Sequence, residues 1–337
     1  MFSSAFFEQF IWIVGAALAV AFLLYIRKNR PRSGMSRSST HNLDRYAIDL
    51  TASARAGTLD PVVGRDDEIH RIIQVLTRRT KNNVLLIGLP GVGKTAAVEG
   101  LAQRISSGDV PDILSHKRVL LLQVSELLAG TKYRGEFEQR IKGIVQEIRG
   151  NKRSIILFID EIHTITQAKG TEGAVDLSDI LKPALARGDL QLIGATTQKE
   201  YEQYIQPDES WDRRFQVVLV NEPTTEESIK ILQGIKEKYE EFHHVVIGNE
   251  AIASAVRLSQ EYIKGRHLPD KAIDIIDEAA AMVNIERGSA HERAAAILHG
   301  AAKKACINCD DIPAVVSAEH VKEIVAEWTG IEVKDIH

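Results

Sequence analysis

Two cysteines, Cys306 and Cys309, are all that the 337 residues contain. So few cannot form a disulfide framework, and a reducing compartment is the default. They stand as Cys306-Ile307-Asn308-Cys309, but a zinc site wants four ligands and there is no second pair. His299 would be a third ligand at a spacing that fits no established pattern, so two ordinary thiols is the simpler reading. Positive charge is not in excess either. Lys and Arg number 42 against 46 Asp and Glu, a net charge of -4, which argues against nucleic acid as the main partner because a phosphate backbone demands a basic surface. The basic residues between Lys142 and Lys152 read as a solvated helix face.

Long apolar runs are missing everywhere except at the N-terminus. Phe10 to Ile26 reads FIWIVGAALAVAFLLYI, and with Phe6 and Phe7 the stretch reaches about 20 residues, enough to cross a hydrocarbon core as a helix. Trp12 and Tyr25 sit near its ends, where amphipathic rings favour an interface. A cleaved signal peptide would carry its basic residues before the apolar run; here Arg27, Lys28, Arg30 and Arg32 follow it. The expectation is a single-pass anchor in the cytoplasmic membrane, with the N-terminus outside and everything after Arg27 in the cytoplasm. The polar, small residues after it form a flexible tether. With 44% hydrophobic residues, the rest is long enough for about two domains.

The chemistry begins at Asn83. NVLLI is a short apolar run that predicts a buried strand, and it leads into Gly88-Leu89-Pro90-Gly91-Val92-Gly93-Lys94-Thr95, followed by the helical pattern AAVEGLAQRI. This is G-x-x-x-x-G-K-T between strand and helix, the context a phosphate-binding loop requires. Glycines let backbone N–H groups curl around phosphate oxygens, and the helix N-terminus adds a favourable dipole. Lys94 supplies charge to the outer phosphates of ATP and the Thr95 hydroxyl ligates Mg²⁺. A second strand pattern, Ser154 to Ile159, ends in Asp160-Glu161. An acidic pair at the carboxyl end of a parallel strand lies where ligands bind in open α/β sheets. Asp160 is placed to hold Mg²⁺ and Glu161 to act as general base on the attacking water.

Further strand patterns run over Arg118 to Val124, Leu190 to Thr197 and Phe215 to Val220, separated by helical patterns. They predict an α/β P-loop fold whose parallel five-stranded sheet carries helices on both faces. From Thr224 onward only helices are evident, over Glu226–His243, Asn249–Ile263, Asp270–Ile285 and Ala318–Trp328, which predicts a small all-α lid. The chain thus divides into an anchor (1–27), a linker (28–42), a large αβ ATPase domain (43–222) and a helical lid with a C-terminal connector-like segment (223–337).

Several longer stretches carry a family resemblance: LDPVVGRDDEI (59–69), RRTKNNVLLIG (78–88), GVGKTAAVEGLAQRI (91–105), TKYRGEFEQRIK (131–142), ILFIDEIHT (156–164), LKPALARGDLQLIGATT (181–197), RRFQ (213–216) and HLPDKAIDIIDEAAA (267–281). Together they resemble the first AAA+ module of the Clp-type ATPases, hexameric protein unfoldases and disaggregases. The resemblance implies ATP and Mg²⁺ at the P-loop, a homo-hexamer and protein substrates. It places Thr197 where the γ-phosphate is sensed, Arg213 and Arg214 where paired arginines reach a neighbouring subunit's nucleotide, Lys271 at the second sensor position, and Val62 and Val63 around adenine. Lys132, Tyr133 and Arg134 match a substrate-gripping pore loop, where a Tyr ring offers a rigid contact face that does not depend on substrate sequence.

The departures matter too. The apolar run stands where those proteins have a globular recruiting domain, Ser289–Pro313 is too short for a coiled-coil middle domain, and SAEHVKEIVAEWTGIEV (317–333) resembles the connector to a second module that the sequence does not contain. No residue therefore supports a peptidase partner. Leu89 replaces a usual Glu, leaving the phosphate cradle intact, and Asp179 replaces a usual Asn after the second pore-facing segment. The rival to a threading machine is a nucleotide-switched scaffold that binds ATP and organises a complex at the membrane without pulling on substrate.

Overall fold

The computed structural model describes residues 40–128, 134–151, 153–167, 177–297 and 314–336. Residues from Thr40 onward form one compact unit. Its centre is a six-stranded sheet in the order β1-β3-β4-β5-β2-β6, with β1 Ala47–Asp49, β2 Asn83–Ile87, β3 Arg118–Leu122, β4 Ile155–Ile159, β5 Gln191–Thr196 and β6 Phe215–Leu219.

Every residue of β2, β4 and β5 is buried, which is why their sequences are near-continuous apolar runs: a parallel sheet is covered on both faces. Alternate side chains divide between two cores. Leu85, Ile87, Leu157 and Ile159 join Ile141, Ile144 and Leu185 on one face; these last come from α3 (Arg134–Gly150) and α4 (Leu177–Arg187). Val84, Leu86, Ile156 and Phe158 join Ile69, Ile72, Leu101 and Ile105 on the other, supplied by α1 (Asp66–Leu76) and α2 (Lys94–Ser107).

The expected five strands are all present and parallel to their neighbours, but the sheet is mixed rather than parallel throughout. The sixth strand, β1, lies antiparallel on β3, with Ala47 opposite Leu122 and Asp49 opposite Leu120. Three residues flanked by helical turns give no readable period. What holds them is tertiary: Leu43 and Tyr46 just before them are buried in the core, and Arg118 Nε donates to Asp49 Oδ2 at 2.8 Å.

The lid helices are α5 Thr225–His243, α6 Asn249–Tyr262, α7 Asp270–Ile297 and α8 Ala318–Thr329. Thr224 opens α5 with a capping box closed by Glu227, the arrangement expected of T-x-x-E before an apolar run. α7 runs twelve residues beyond its expected end at Ile285, through a stretch rich in good helix formers such as Ala, Glu and Arg. The lid is not all-α: β7 (Val245–Ile247) pairs in parallel with β8 (Ala314–Val316). These two strands come together only because α6, α7 and α8 close a third core around them, including Ile252, Ile275, Val316 and Val321.

Among the described residues no helix is long and apolar enough to cross a membrane. The Phe6–Ile26 run expected to do so lies outside them, as do Cys306 and Cys309.

Candidate active site

The carboxyl ends of β2 and β4 converge on a cleft of about 390 Å³ lined by Pro90 to Ala96, Asp160 and Glu161 from the sheet side. The P-loop curls because two of its glycines adopt left-handed backbone angles that other residues rarely take: Gly91 has φ 75° and Gly93 φ 92°. A Cβ on Gly91 would also stand 2.7 Å from the Asp270 side chain, so the glycine is what lets the lid approach the loop.

Lys94 opens α2 and is only 7% exposed. Its Nζ donates to the carbonyls of Gly88 at 3.1 Å and Leu89 at 3.0 Å, which aims the ammonium along the loop. Burial pulls its pKa down, against the nearby charges of Glu161, Asp160 and Glu200; a phosphate in the loop would supply the missing counter-charge.

Thr95 Oγ1 donates to Asp160 Oδ2 at 2.7 Å. A hydroxyl and a carboxylate side by side at the end of the phosphate loop are hard oxygen donors, the ligand type Mg²⁺ takes, so the residues present fit the ion. It would neutralise phosphate charge there. Asp160 is steadied by the Glu161 backbone N–H, 3.0 Å from Oδ1. Glu161 itself sits at φ 49°, a region that side chains other than glycine enter reluctantly. Burial pushes its carboxyl pKa up, with the charges of Glu200 and Asp160 adding to the effect.

The other wall is apolar. Pro61, Val62 and Val63 face Ile231, Ile235 and Tyr239 of α5 and Ile273 of α7 across the cleft, a slot suited to a flat base. Val62 and Val63 thus line the apolar side of the cleft. Glu99 also lines the cleft, and burial followed by the charge of Asp60 raises its pKa.

Two other expected residues point elsewhere. Lys271 is 4% exposed, but its Nζ donates to the Ile263 carbonyl at 3.2 Å inside the lid; Asp270, one residue earlier, is the one on the cleft wall. Thr197 caps a short helix, its hydroxyl donating to Glu200 Oε2 at 2.8 Å and accepting from the Glu200 N–H at 3.3 Å. The hydroxyl hydrogen and one of its two lone pairs are thus turned toward Glu200.

Arg213 and Arg214 immediately precede β6, and the Arg214 carbonyl accepts from Asn83 Nδ2 at the first residue of β2. The P-loop leaves the opposite end of β2. At about 3.3 Å per residue the two ends are roughly 13 Å apart, so the backbone of these arginines lies at the opposite end of the sheet from their own chain's P-loop. Arg213 is exposed. Lys132 and Tyr133 lie outside the described residues; Arg134 is the first residue of α3, and Asp179 falls within α4.

The motifs passed over some residues. Arg65, 5% exposed, donates to the Val92 carbonyl inside the P-loop, to Glu68 at 2.9 Å and to the Asn221 carbonyl at 3.3 Å. It ties the loop to the strand leading into the lid. His163 and Glu200 gather beside Glu161. For Glu200 a signal existed, since Thr197-Gln198-Lys199-Glu200 is a T-x-x-E capping box; Arg65 was visible only as part of VGRDDEI.

Comparison with known proteins agrees with this geometry. Residues 84–222 match the ATPase family associated with various cellular activities (AAA), and residues 224–310 match the AAA lid domain. The chaperone protein ClpB of Bacteroides thetaiotaomicron is 55% identical over 260 residues, 77% of this chain and 30% of that one. ClpB of Meiothermus ruber is 56% identical over 268 residues, 79% of this chain and 31% of its own. Among solved structures, an Hsp104–ADP complex from S. cerevisiae superposes with a TM-score of 0.75 at 42% identity, covering 88% of this chain and 46% of that one. A closed-state reconstruction of Hsp104 with ATPγS and casein gives the same score, with 47% of that chain covered. The match thus spans about a third of the length of the curated relatives.

Proposed function

Since this chain belongs to the AAA+ ATPases, as a module with its lid homologous to the ClpB chaperones, we propose that it works as a ring, most simply a hexamer, that couples ATP hydrolysis to unfolding or remodelling of protein substrates at a membrane. The observation that carries the ring is the position of Arg213 and Arg214 at the far end of the sheet from their own P-loop. A guanidinium there serves phosphate chemistry only in a neighbour's cleft, where its planar donors stabilise transition-state charge.

Within each cleft the contacts support a division of roles. The P-loop N–H groups and Lys94 hold the phosphates, and Thr95 with Asp160 would hold Mg²⁺. Glu161 takes the proton of the attacking water, and Val62, Val63 and the lid residues Ile231 and Tyr239 grip the base. Asp270 packed against Gly91 gives the lid a direct contact with the loop whose occupancy changes on hydrolysis.

Threading rests on the resemblance of Lys132-Tyr133-Arg134 to a pore loop. Tyr133→Ala is expected to leave basal ATPase largely intact and to abolish unfolding of a tagged model protein, because force reaches the substrate only through a side chain that holds it. A ring that still unfolds substrate with Tyr133→Ala would take Tyr133 out of the grip, and a native ring that hydrolyses ATP but unfolds no substrate would favour the scaffold reading. Tethering rests on the apolar run before Arg27. The protein should stay with membranes through alkaline and high-salt washes and leave only with detergent; release by salt or alkali alone would remove the anchor.

A further inference from the structure

Glu161 has a neighbour that the ATP-site motifs do not include. His163, two residues on, is 7% exposed. Its Nδ1 lies 3.3 Å from Glu161 Oε2 and 3.2 Å from Glu200 Oε2, and 3.1 Å from Thr196 Oγ1. Glu200 is in turn fixed at the end of β5, where its Oε2 accepts from the Thr197 N–H at 3.1 Å, the Thr197 hydroxyl at 2.8 Å and the Thr196 hydroxyl at 3.2 Å. The imidazole lies face to face with the Tyr204 ring, centroids 6.1 Å apart at 25°.

We propose that His163, held in place by Glu200, is the positioning residue that orients the Glu161 carboxylate for its work on the attacking water. The proposal deepens the reading of Glu161 as the base and rests on it.

The argument is one of donors and acceptors. Nδ1 faces two carboxylate oxygens, and an ionised carboxylate only accepts. The Thr196 hydroxyl, 3.1 Å from Nδ1, spends its own hydrogen on Glu200. The arrangement therefore favours a hydrogen on Nδ1, with Thr196 Oγ1 as its nearest acceptor and the carboxylates of Glu200, which is fixed, and Glu161, which is free, at 3.2 and 3.3 Å. The freedom of Glu161 is real: its side chain is 51% exposed, and among the described residues its carboxylate makes this one close polar contact. Without an anchor, a half-exposed Glu spreads over several staggered rotamers, and a base must lie within hydrogen-bond reach of its water to act. Holding Oε2 through His163 leaves Oε1 for that water. The same chain of contacts joins the base to Thr196 and Thr197 at the end of β5, so a disturbance at that strand end reaches Glu161 through a single imidazole.

The test uses the whole 337-residue chain, with steady-state ATPase kinetics, affinity for a fluorescent ADP analogue and thermal melting measured in parallel. His163→Phe keeps a ring against Tyr204 but removes the donor; His163→Asn places an amide N–H near the Nδ1 position. His163→Phe is expected to lower kcat roughly 10- to 100-fold, the scale of a misplaced catalytic group, with KM and ADP affinity within about twofold of native. His163→Asn should recover most of the loss. Glu200→Gln should lower kcat in the same manner, which keeps the test decisive if the Phe variant folds poorly. Adding His163→Phe to Glu161→Gln should slow the residual rate no further. A native kcat in His163→Phe, a loss that persists in full on top of Glu161→Gln, or an Asn variant as slow as the Phe variant overturns the positioning role. If Glu161→Gln itself turned over normally, the base assignment would fall and the proposal with it. A native-like His163→Phe beside an inactive Glu161→Gln sinks the positioning alone.

Discussion

Glu161→Gln is expected to bind ATP as well as the native chain and to turn it over at least about 100-fold more slowly, the low end of what a lost general base costs. Binding survives because the groups that hold phosphate are elsewhere: Lys94 on its two carbonyls, the loop N–H groups, and Thr95 paired with Asp160. The substitution is nearly isosteric, and the Glu161 backbone N–H that steadies Asp160 is untouched. Turnover fails because an amide oxygen is far too weak a base to take a proton from water in the transition state. Equilibrium ATP binding and multiple-turnover phosphate release decide it together. Near-native turnover with native binding would take Glu161 out of the mechanism, while loss of both would point to a damaged cleft.

The second large effect is expected at Arg213. If its guanidinium completes a neighbour's cleft, Arg213→Ala should cut hydrolysis by about 10³-fold, the order seen when an arginine finger is withdrawn, without weakening nucleotide binding to its own P-loop. Its position at the start of β6 keeps it clear of Lys94, Asp160 and both sheet cores, so melting should hardly move. The decisive measurement mixes Arg213→Ala with Glu161→Gln. Each is inactive alone, yet in a mixed ring some clefts combine an intact Glu161 from one subunit with an intact Arg213 from the next, and activity should partly return. Arg214 is a control of a particular kind, because its carbonyl accepts from Asn83: Arg214→Ala keeps that backbone contact and removes only the side chain. A mixture as inactive as its parents, with mixed-ring assembly verified by electron microscopy, would exclude an arginine acting across subunits.

The parts of the molecule that were legible beforehand share one property: each is specified by residues close together in sequence. The P-loop is eight consecutive residues, and its glycines announce backbone angles that the structure shows at Gly91 and Gly93. Asp160 and Glu161 follow directly on a five-residue strand buried from end to end, and continuous apolar runs of that length belong to sheets covered on both faces. The helices α5, α6 and α8 begin within a residue of where the apolar period starts, because caps such as Thr224 with Glu227 are local chemistry.

What escaped was decided by partners far away in the chain. β1 is three residues long and exists because Leu122, Leu121 and Leu120 lie opposite it. β7 and β8 are separated by 66 intervening residues, Gly248 to Pro313, and neither holds enough period to be read alone. Lys271 carries the right charge for a phosphate sensor, but burial turned its ammonium to the Ile263 carbonyl, and Asp270 took the cleft wall instead. Thr197 reads equally well as a sensor or as a helix cap until Glu200 is seen to occupy its hydroxyl. Arg65 clamps Val92 and Asn221 at once, a pairing that requires the P-loop and the exit of β6 to lie side by side. The sequence by itself determined the phosphate loop, the acidic pair and the alternation of strands and helices, since each follows from local backbone freedom and local hydrophobic period. Only the tertiary structure decided which carboxylate the buried His163 would face and which end of the sheet Arg213 would occupy, because side-chain direction and strand order are settled by packing between segments that share no sequence neighbourhood.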